Sequence, residues 1–141
     1  MKTWGTVVLC LSVAAARLSA AELLLVDSNN DGNPDQWYVA QNGQITEMRV
    51  DRNHDGKVDY LVRYNAADGP DYEEYDYNYD GVMDDFLYHL GGVLVREEVD
   101  SNFDGRIDLW VYLHKGIYIE RYERDADNDG KKDKVVDYGR R

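Results

Sequence analysis

Five short segments of the chain carry aspartates at fixed spacing, together with an asparagine or aspartate and a glycine. They share the pattern D-x-[ND]-x-D-G-x-x-D and read DSNNDGNPD, DRNHDGKVD, DYNYDGVMD, DSNFDGRID and DADNDGKKD. The pattern returns every 24 or 25 residues, starting at Asp27, Asp51, Asp76, Asp100 and Asp125. A fixed period of this length indicates a repeat architecture. We call the segments acidic loops 1 to 5 and number their positions 1 to 9.

These residue types at this spacing suit a calcium ion, a hard cation that takes about six to eight oxygen ligands. Positions 1, 3, 5 and 9 offer side-chain oxygens, and position 7 would offer its backbone carbonyl, so its side chain is free to vary. Glycine at position 6 lets the loop turn sharply, since it adopts conformations that are costly for other residues. The candidate metal ligands are Asp27, Asn29, Asp31, Asn33, Asp35, Asp51, Asn53, Asp55, Lys57, Asp59, Asp76, Asn78, Asp80, Val82, Asp84, Asp100, Asn102, Asp104, Arg106, Asp108, Asp125, Asp127, Asp129, Lys131 and Asp133.

The alternative is a set of polar turns that bind no metal, because Asp-Gly between two strands also predicts a hairpin. A turn does not require an acid at positions 1, 5 and 9 in all five loops. Without a cation, that clustering of aspartates is repulsive. We therefore expect Ca²⁺ as the cofactor. Magnesium is disfavoured because it prefers to keep its waters, and scattered histidines disfavour zinc.

The acidic loops resemble the calcium loop of the EF-hand superfamily. The resemblance is closer to dockerin-type, thrombospondin type 3-like and integrin-type repeats, which use this loop outside EF-hands. It covers about nine residues of each repeat and includes an apolar position 8 at Val58, Met83 and Ile107. It implies calcium binding through the residues given above.

Two features depart from an EF-hand: no flanking helices are predicted, and position 12 is never the bidentate glutamate. Glu74, Glu98 and Glu123 stand two residues before a loop and are candidates for the missing ligand. The alternative for these three is an ordinary solvent-facing strand position. With one strong ligand lacking, we expect weak affinity, roughly 10⁻⁴ to 10⁻³ M. Position 12 is occupied by Tyr38, Val62, Leu87, Val111 and Val136.

The segments between the loops predict paired strands. Each loop is followed by a short apolar or aromatic run (QWYVA, YLVRY, DFLYH, LWVYL, KVVDY), and the first four runs by a turn signal (QNG, ADGP, LGG, HKG) and a second run. Such runs bounded by Gly and Asn predict hairpins. We predict an all-β antiparallel meander of about five loop-strand-turn-strand repeats, with the acidic loops at one end. An open curved sheet, two layers and a small closed barrel all fit.

The residues two positions after each loop predict a continuous row across this sheet. The row is expected to form a core stripe, because aromatic side chains dominate packing energetics. The alternative is an exposed aromatic platform for a carbohydrate or a protein. Its members are Trp37, Leu61, Phe86, Trp110 and Val135.

The N-terminus predicts a secretory signal peptide over residues 1–21. Lys2 gives a basic start, residues 6–16 form an apolar run, and small residues surround Ala20 and Ala21. A buried N-terminal helix or strand is the alternative. Cleavage would leave a single domain, residues 22–141, in the periplasm or outside the cell, and would change the net charge from −12 to −14. The chain's one cysteine, Cys10, would be removed.

Composition and motifs narrow the function. Only 16 basic residues stand against 28 acidic ones, which argues against nucleic acid as a partner. No later apolar run approaches the length of a membrane span. We find no nucleophile elbow, histidine-based metal motif or phosphate loop, so we do not expect an enzyme. The leading expectation is a secreted calcium-binding protein with a structural or adhesive role; the second is a carbohydrate- or protein-binding module.

Overall fold

The computed structural model of the chain describes residues 20–65 and 69–139. The predicted signal peptide lies outside them except for its last two residues. In the described part of the chain, no helix is long and apolar enough to cross a membrane.

The described residues form ten β-strands in one antiparallel sheet whose spatial order follows the order of the chain. The predicted all-β antiparallel meander is therefore confirmed. The sheet stays open, with its first and last strands at the two edges. The strands are β1 (Glu22–Val26), β2 (Gln36–Gln41), β3 (Gln44–Val50), β4 (Tyr60–Asn65), β5 (Gly69–Tyr75), β6 (Asp85–Leu90), β7 (Val93–Val99), β8 (Leu109–His114), β9 (Tyr118–Arg124) and β10 (Lys134–Asp137).

Strand β1 was not assigned from the sequence. It occupies the place of a repeat's second strand, directly before acidic loop 1, and pairs with β2 from Glu22↔Ala40 to Val26↔Gln36. Its run of leucines follows the predicted signal peptide directly in the sequence, which hides its strand character there.

Two kinds of connection alternate along the sheet. Each acidic loop joins an odd-numbered strand to the next even-numbered one, and the residue before the loop always faces the residue after it, as in Val50↔Tyr60. At the opposite end, short turns make the connections that lie wholly within the described residues, as at Asn42 and Gly43, whose φ angles are 53° and 77°. Two positive φ values suit the twist of a two-residue hairpin. All five acidic loops consequently lie at one end of the sheet, as predicted.

The sheet is a single layer, because each described strand contacts only its neighbours in the chain. Among the described residues only Ala40 and Val62 are buried hydrophobic side chains, whereas ten acidic side chains are buried. Cross-strand contacts hold the faces together. The rings of Tyr60 and Tyr75 stack with centroids 4.5 Å apart, and the Arg96 guanidinium lies 3.9 Å from the Tyr88 ring centroid.

The predicted row of Trp37, Leu61, Phe86, Trp110 and Val135 does lie on one face at one level of the sheet. The expectation that it forms a buried core stripe is wrong. The first four side chains are half-buried and Val135 is 52% exposed, because no second layer of described strands covers them. Charged residues from the intervening strands separate the members of the row: Arg49, Glu74, Glu98 and Glu123.

We predict that Val62→Ala lowers the free energy of unfolding by about 2 kcal/mol, through lost apolar burial and the cavity left behind. Val62 is 1% exposed, whereas Val93 is 41% exposed. Val93→Ala is the matched control and should cost less than about 0.5 kcal/mol. Urea denaturation of both variants measures the difference. Equal losses would contradict the special position of Val62.

Candidate metal centres

The five acidic loops share one backbone conformation. Position 4 has a positive φ between 58° and 63°, and the glycine at position 6 has a φ between 84° and 95°. Two left-handed residues separated by one other residue turn the chain sharply. The conformation directs both the backbone N–H groups and the aspartate side chains of each loop toward its interior.

Backbone N–H groups of each loop donate hydrogen bonds to the side chains at positions 1, 3 and 5 of the same loop. The position 1 carboxylate accepts a hydrogen bond from the position 6 glycine N–H at 2.6–2.9 Å in every loop. The position 3 side chain accepts from the position 5 N–H at 2.8–3.2 Å. The position 5 carboxylate accepts from the position 7 N–H at 2.8–3.0 Å. These bonds hold the side chains of positions 1, 3 and 5 inside the loop.

The aspartate at position 9 closes the loop. Its carboxylate accepts the N–H of position 2 at 2.6–3.1 Å in all five loops. Where position 2 is serine, as at Ser28 and Ser101, the hydroxyl donates a second bond to the same aspartate. Position 9 is therefore a structural residue as well as a candidate ligand.

Successive loops are joined to one another. The N–H of each position 1 aspartate donates to the carbonyl of position 9 in the preceding loop, with distances of 2.7–2.9 Å at Asp51, Asp76, Asp100 and Asp125. The eight aspartates at these four junctions are each at most 5% exposed. The result is a line of buried carboxylates along one end of the sheet, which we call the carboxylate line.

Loop 2 brings three carboxylates together in a geometry that fits a metal ion. One oxygen each from Asp51, Asp55 and Asp59 lie within 4.8 Å of one another. Asp59 is 1% exposed, and its Oδ1 has no hydrogen-bond partner. A buried carboxylate oxygen without a partner is costly, and a cation would satisfy it.

Loop 5 offers a similar group. Oxygens of Asp125, Asp127 and Asp133 also lie within 4.8 Å of one another, and Oδ1 of the buried Asp125 has no partner. The buried Asp35 of loop 1 likewise keeps an Oδ1 without a partner. Among the described residues, loops 2 and 5 are the two in which three carboxylates converge so closely.

Several candidate ligands are engaged by neighbours. Lys57 donates from Nζ to the carbonyl of Asp80 in the next loop at 2.9 Å, and Lys131 pairs with Asp129 at 2.7 Å. A lysine side chain has no acceptor, so the backbone carbonyl is the ligand that position 7 could offer here, and its part in binding stays a prediction. Asn128 donates to Asp104, so loops 4 and 5 are also joined by side chains.

The residues proposed to supply the missing ligand lie on the sheet. Glu98 accepts a hydrogen bond from Tyr88 at 3.2 Å, and Glu123, 3% exposed, pairs with Arg121 and Lys132. Position 12 falls on the third residue of each following strand, where Val62 is the most deeply buried hydrophobic side chain described. Position 12 therefore belongs to the sheet and not to the loop, and none of its five side chains is the glutamate of an EF-hand.

The loop hydrogen bonds shift the pKa values of the carboxyls. Donation from the Asn33 N–H and the Asn29 side chain lowers the pKa of Asp31, and the Lys57 N–H similarly lowers that of Asp55. Burial raises the pKa of Asp84. Burial, together with nearby Glu97, raises the pKa of Asp85 to about 7. Asp31 and Asp55 are thus held in the ionised form that a cation requires, whereas Asp84 and Asp85 bear a desolvation cost.

One basic residue reinforces a loop junction and was not singled out from the sequence. The Arg52 guanidinium donates to the carbonyls of Asp76 at 2.6 Å and Asp59 at 3.3 Å, which are the two partners at the junction of loops 2 and 3. It also lies over the rings of Tyr75, Tyr77 and Tyr79. The aromatic enrichment of loop 3 was the signal that could have identified this contact.

A scan of the chain against protein-family models finds no match, and a search of the curated proteins finds none either. The functional argument therefore depends on the geometry of the acidic loops.

We predict that Phe103→Asn raises the free energy of unfolding by about 1 kcal/mol, because a left-handed conformation is costly for most residues and mild for asparagine. Phe103 holds φ 63° at position 4 of loop 4, where loops 1 and 5 have asparagine. Tyr138→Asn is the control, since Tyr138 is similarly exposed but has no positive φ. Thermal unfolding of both variants tests this. A gain in both, or in neither, would contradict it.

Proposed function

We propose that this protein binds calcium ions through its acidic loops and serves as a secreted structural or adhesive β-repeat protein. The observation that carries the proposal is Asp59, whose buried Oδ1 has no protein partner and whose carboxylate converges with those of Asp51 and Asp55. Calcium suits such a group because it accepts oxygen ligands in flexible geometry.

The charge distribution supports the same proposal. The chain has a net charge of −12, and its buried side chains are mostly carboxylates gathered at one end of the sheet. Like charges in a partly desolvated region repel strongly, so the folded state gains from bound cations. A structural role follows because ions bound there would stabilise the end of a sheet that has little apolar core.

The resemblance to dockerin-type and thrombospondin type 3-like loops supports calcium over other cations, and the predicted signal peptide supports an extracellular or periplasmic setting. Weak sites, with dissociation constants of roughly 10⁻⁴ to 10⁻³ M, work in calcium-rich surroundings. Secretion and weak affinity are therefore consistent parts of one proposal.

The first test is isothermal titration of the purified protein with calcium, with magnesium as a control. We expect heat at submillimolar to millimolar calcium, with between two and five ions bound, since two loops already have converging carboxylates. Asp59→Asn should remove one ion from the stoichiometry. Asp71→Asn, an exposed aspartate of β5 outside the loops, should keep it unchanged. Absence of calcium heat, or equal losses in both variants, would overturn the proposal.

Removal of calcium should also lower stability. We predict that a chelator lowers the melting temperature and that added calcium restores it, because an ion that binds the folded state alone stabilises that state. At a free concentration ten times the dissociation constant, each site contributes about 1.4 kcal/mol. Circular dichroism during a thermal scan measures the effect, with magnesium in place of calcium as the control. A melting temperature unaffected by the chelator would contradict a structural role for calcium.

A second candidate function is a carbohydrate- or protein-binding module. It is favoured by the single-layer sheet, which leaves Trp37, Phe86 and Trp110 half-exposed on one face. Half-exposed aromatic rings beside charged groups can stack on sugars or on a partner chain. The same titration decides between the two: a protein without calcium heat would direct the search to this face.

A further inference from the structure

The two edges of the described sheet, β1 and β10, expose apolar side chains beside strand backbone. Leu23, Leu24 and Leu25 in β1 are 62%, 50% and 53% exposed, and Val135 in β10 is 52% exposed. In the described chain no strand lies beyond either edge. An exposed hydrophobic edge strand is a template for pairing with another strand.

Two aspartates lie just beyond the ends of the carboxylate line and lack the junction that its members form. Each internal position 9 carbonyl accepts the N–H of position 1 in the next loop, and both aspartates are buried. Asp27, which begins loop 1, is only half-buried, and Asp133, which ends loop 5, is exposed. Loop 1 thus offers the N–H of Asp27, and loop 5 offers the carbonyl of Asp133. These are the two groups that form each junction between internal loops.

We propose that a second copy of this chain supplies the missing halves, so that copies assemble head to tail through β1 of one and β10 of the next. Within the chain, each internal strand that follows an acidic loop is paired on its far side with the strand that leads into the next acidic loop. An example is β8, which follows loop 4 and pairs with β9, which leads into loop 5. β10 follows loop 5 and β1 precedes loop 1. The β1 of a second copy therefore stands where an eleventh strand would stand.

The register of this joint follows from the internal ones. In β8 and β9 the residue after one loop faces the residue before the next, Leu109↔Arg124. The same rule places Lys134 opposite Val26, Val135 opposite Leu25, and Val136 opposite Leu24. Because successive side chains alternate between faces, one apolar pair forms on each face of the sheet.

This register also completes the carboxylate line. It brings the N–H of Asp27 to the carbonyl of Asp133, the bond that Asp125 makes to Asp108 at 2.9 Å. Antiparallel pairing of two β1 strands would place the loops of the two copies at opposite ends and leave Asp27 without that partner. Head-to-tail pairing is thus favoured over symmetric pairing. Any dependence of assembly on calcium rests on the proposed function, whereas the strand pairing itself does not.

Proline variants that block one edge each test the proposal. Successive residues of a strand direct their N–H groups alternately toward the neighbouring strand and toward the free edge. Either Leu24→Pro or Leu25→Pro therefore removes an N–H that faces the free edge of β1 and leaves the pairing with β2 intact. In the same way, either Val135→Pro or Val136→Pro removes an N–H that faces the free edge of β10. The variant of each pair that keeps the melting temperature is used. Ile117→Ser, which removes a 75% exposed apolar side chain from a turn between β8 and β9, is the control.

Sedimentation velocity over a range of concentrations then gives the expected masses. The unmodified protein and Ile117→Ser should form dimers and larger species. Each blocked variant alone should be a monomer, and their equimolar mixture should double the mass and grow no further. A monomeric unmodified protein in both calcium and chelator overturns the proposal, as does self-association of a blocked variant. Assembly that persists in chelator would support the joint while separating it from calcium binding.

A cross-linking variant tests the register without proline. In a Cys10→Ser background, Leu24→Cys and Val136→Cys would place two thiols opposite each other across the joint. Mild oxidation of this variant should give a ladder of dimers, trimers and larger species on a non-reducing gel. Leu24→Cys combined with Val93→Cys should give no such ladder, because Val93 begins the inner strand β7 and is far from either edge. Equal yields from the two pairs, or no ladder from Leu24 and Val136, would overturn the register.

Discussion

The feature on which the rest of the structure depends is the hydrogen bond between the backbone of one acidic loop and the backbone of the next. At every internal junction an aspartate N–H meets the carbonyl of another aspartate, and both side chains are buried. The bond sets the spacing of the loops, and the register of the strands follows from it. It also forces carboxylates into proximity, which makes this end of the sheet the place where charge must be balanced.

The faces of the sheet contribute little free energy to offset this repulsion between carboxylates. A single layer with Ala40 and Val62 as its buried hydrophobic side chains gains little from apolar burial. Its cross-strand pairs, such as Tyr60 on Tyr75 or Arg63 beside Glu47, contribute roughly 0.2–1 kcal/mol each. The stability of a sheet built in this way depends on its loop end. A cation bound there, as we propose, would act where buried carboxylates are concentrated.

Much of this arrangement could be predicted from the sequence, because the relevant signals are local. Alternation of short β-rich runs with Asp-Gly loops and glycine turns predicts strands, hairpins and the placement of all loops at one end. The single layer could not be predicted, since apolar residues at Trp37 and Phe86 suit a covered face as well as a half-exposed one. The conformation of Phe103 was also hidden, because propensity argues against a left-handed phenylalanine and the loop hydrogen bonds override it.

The loop junctions also imply that the acidic loops do not act as independent sites. Asp59 closes loop 2 and has an oxygen that a cation in this loop would contact, while its carbonyl accepts the N–H of Asp76, which begins loop 3. Arg52 donates to the carbonyls of both residues. A cation that restricts Asp59 would therefore also restrict the first candidate ligand of the neighbouring loop, and that loop would then have less conformational entropy to lose when it binds a cation. On this backbone, positive cooperativity between neighbouring loops needs no change of fold.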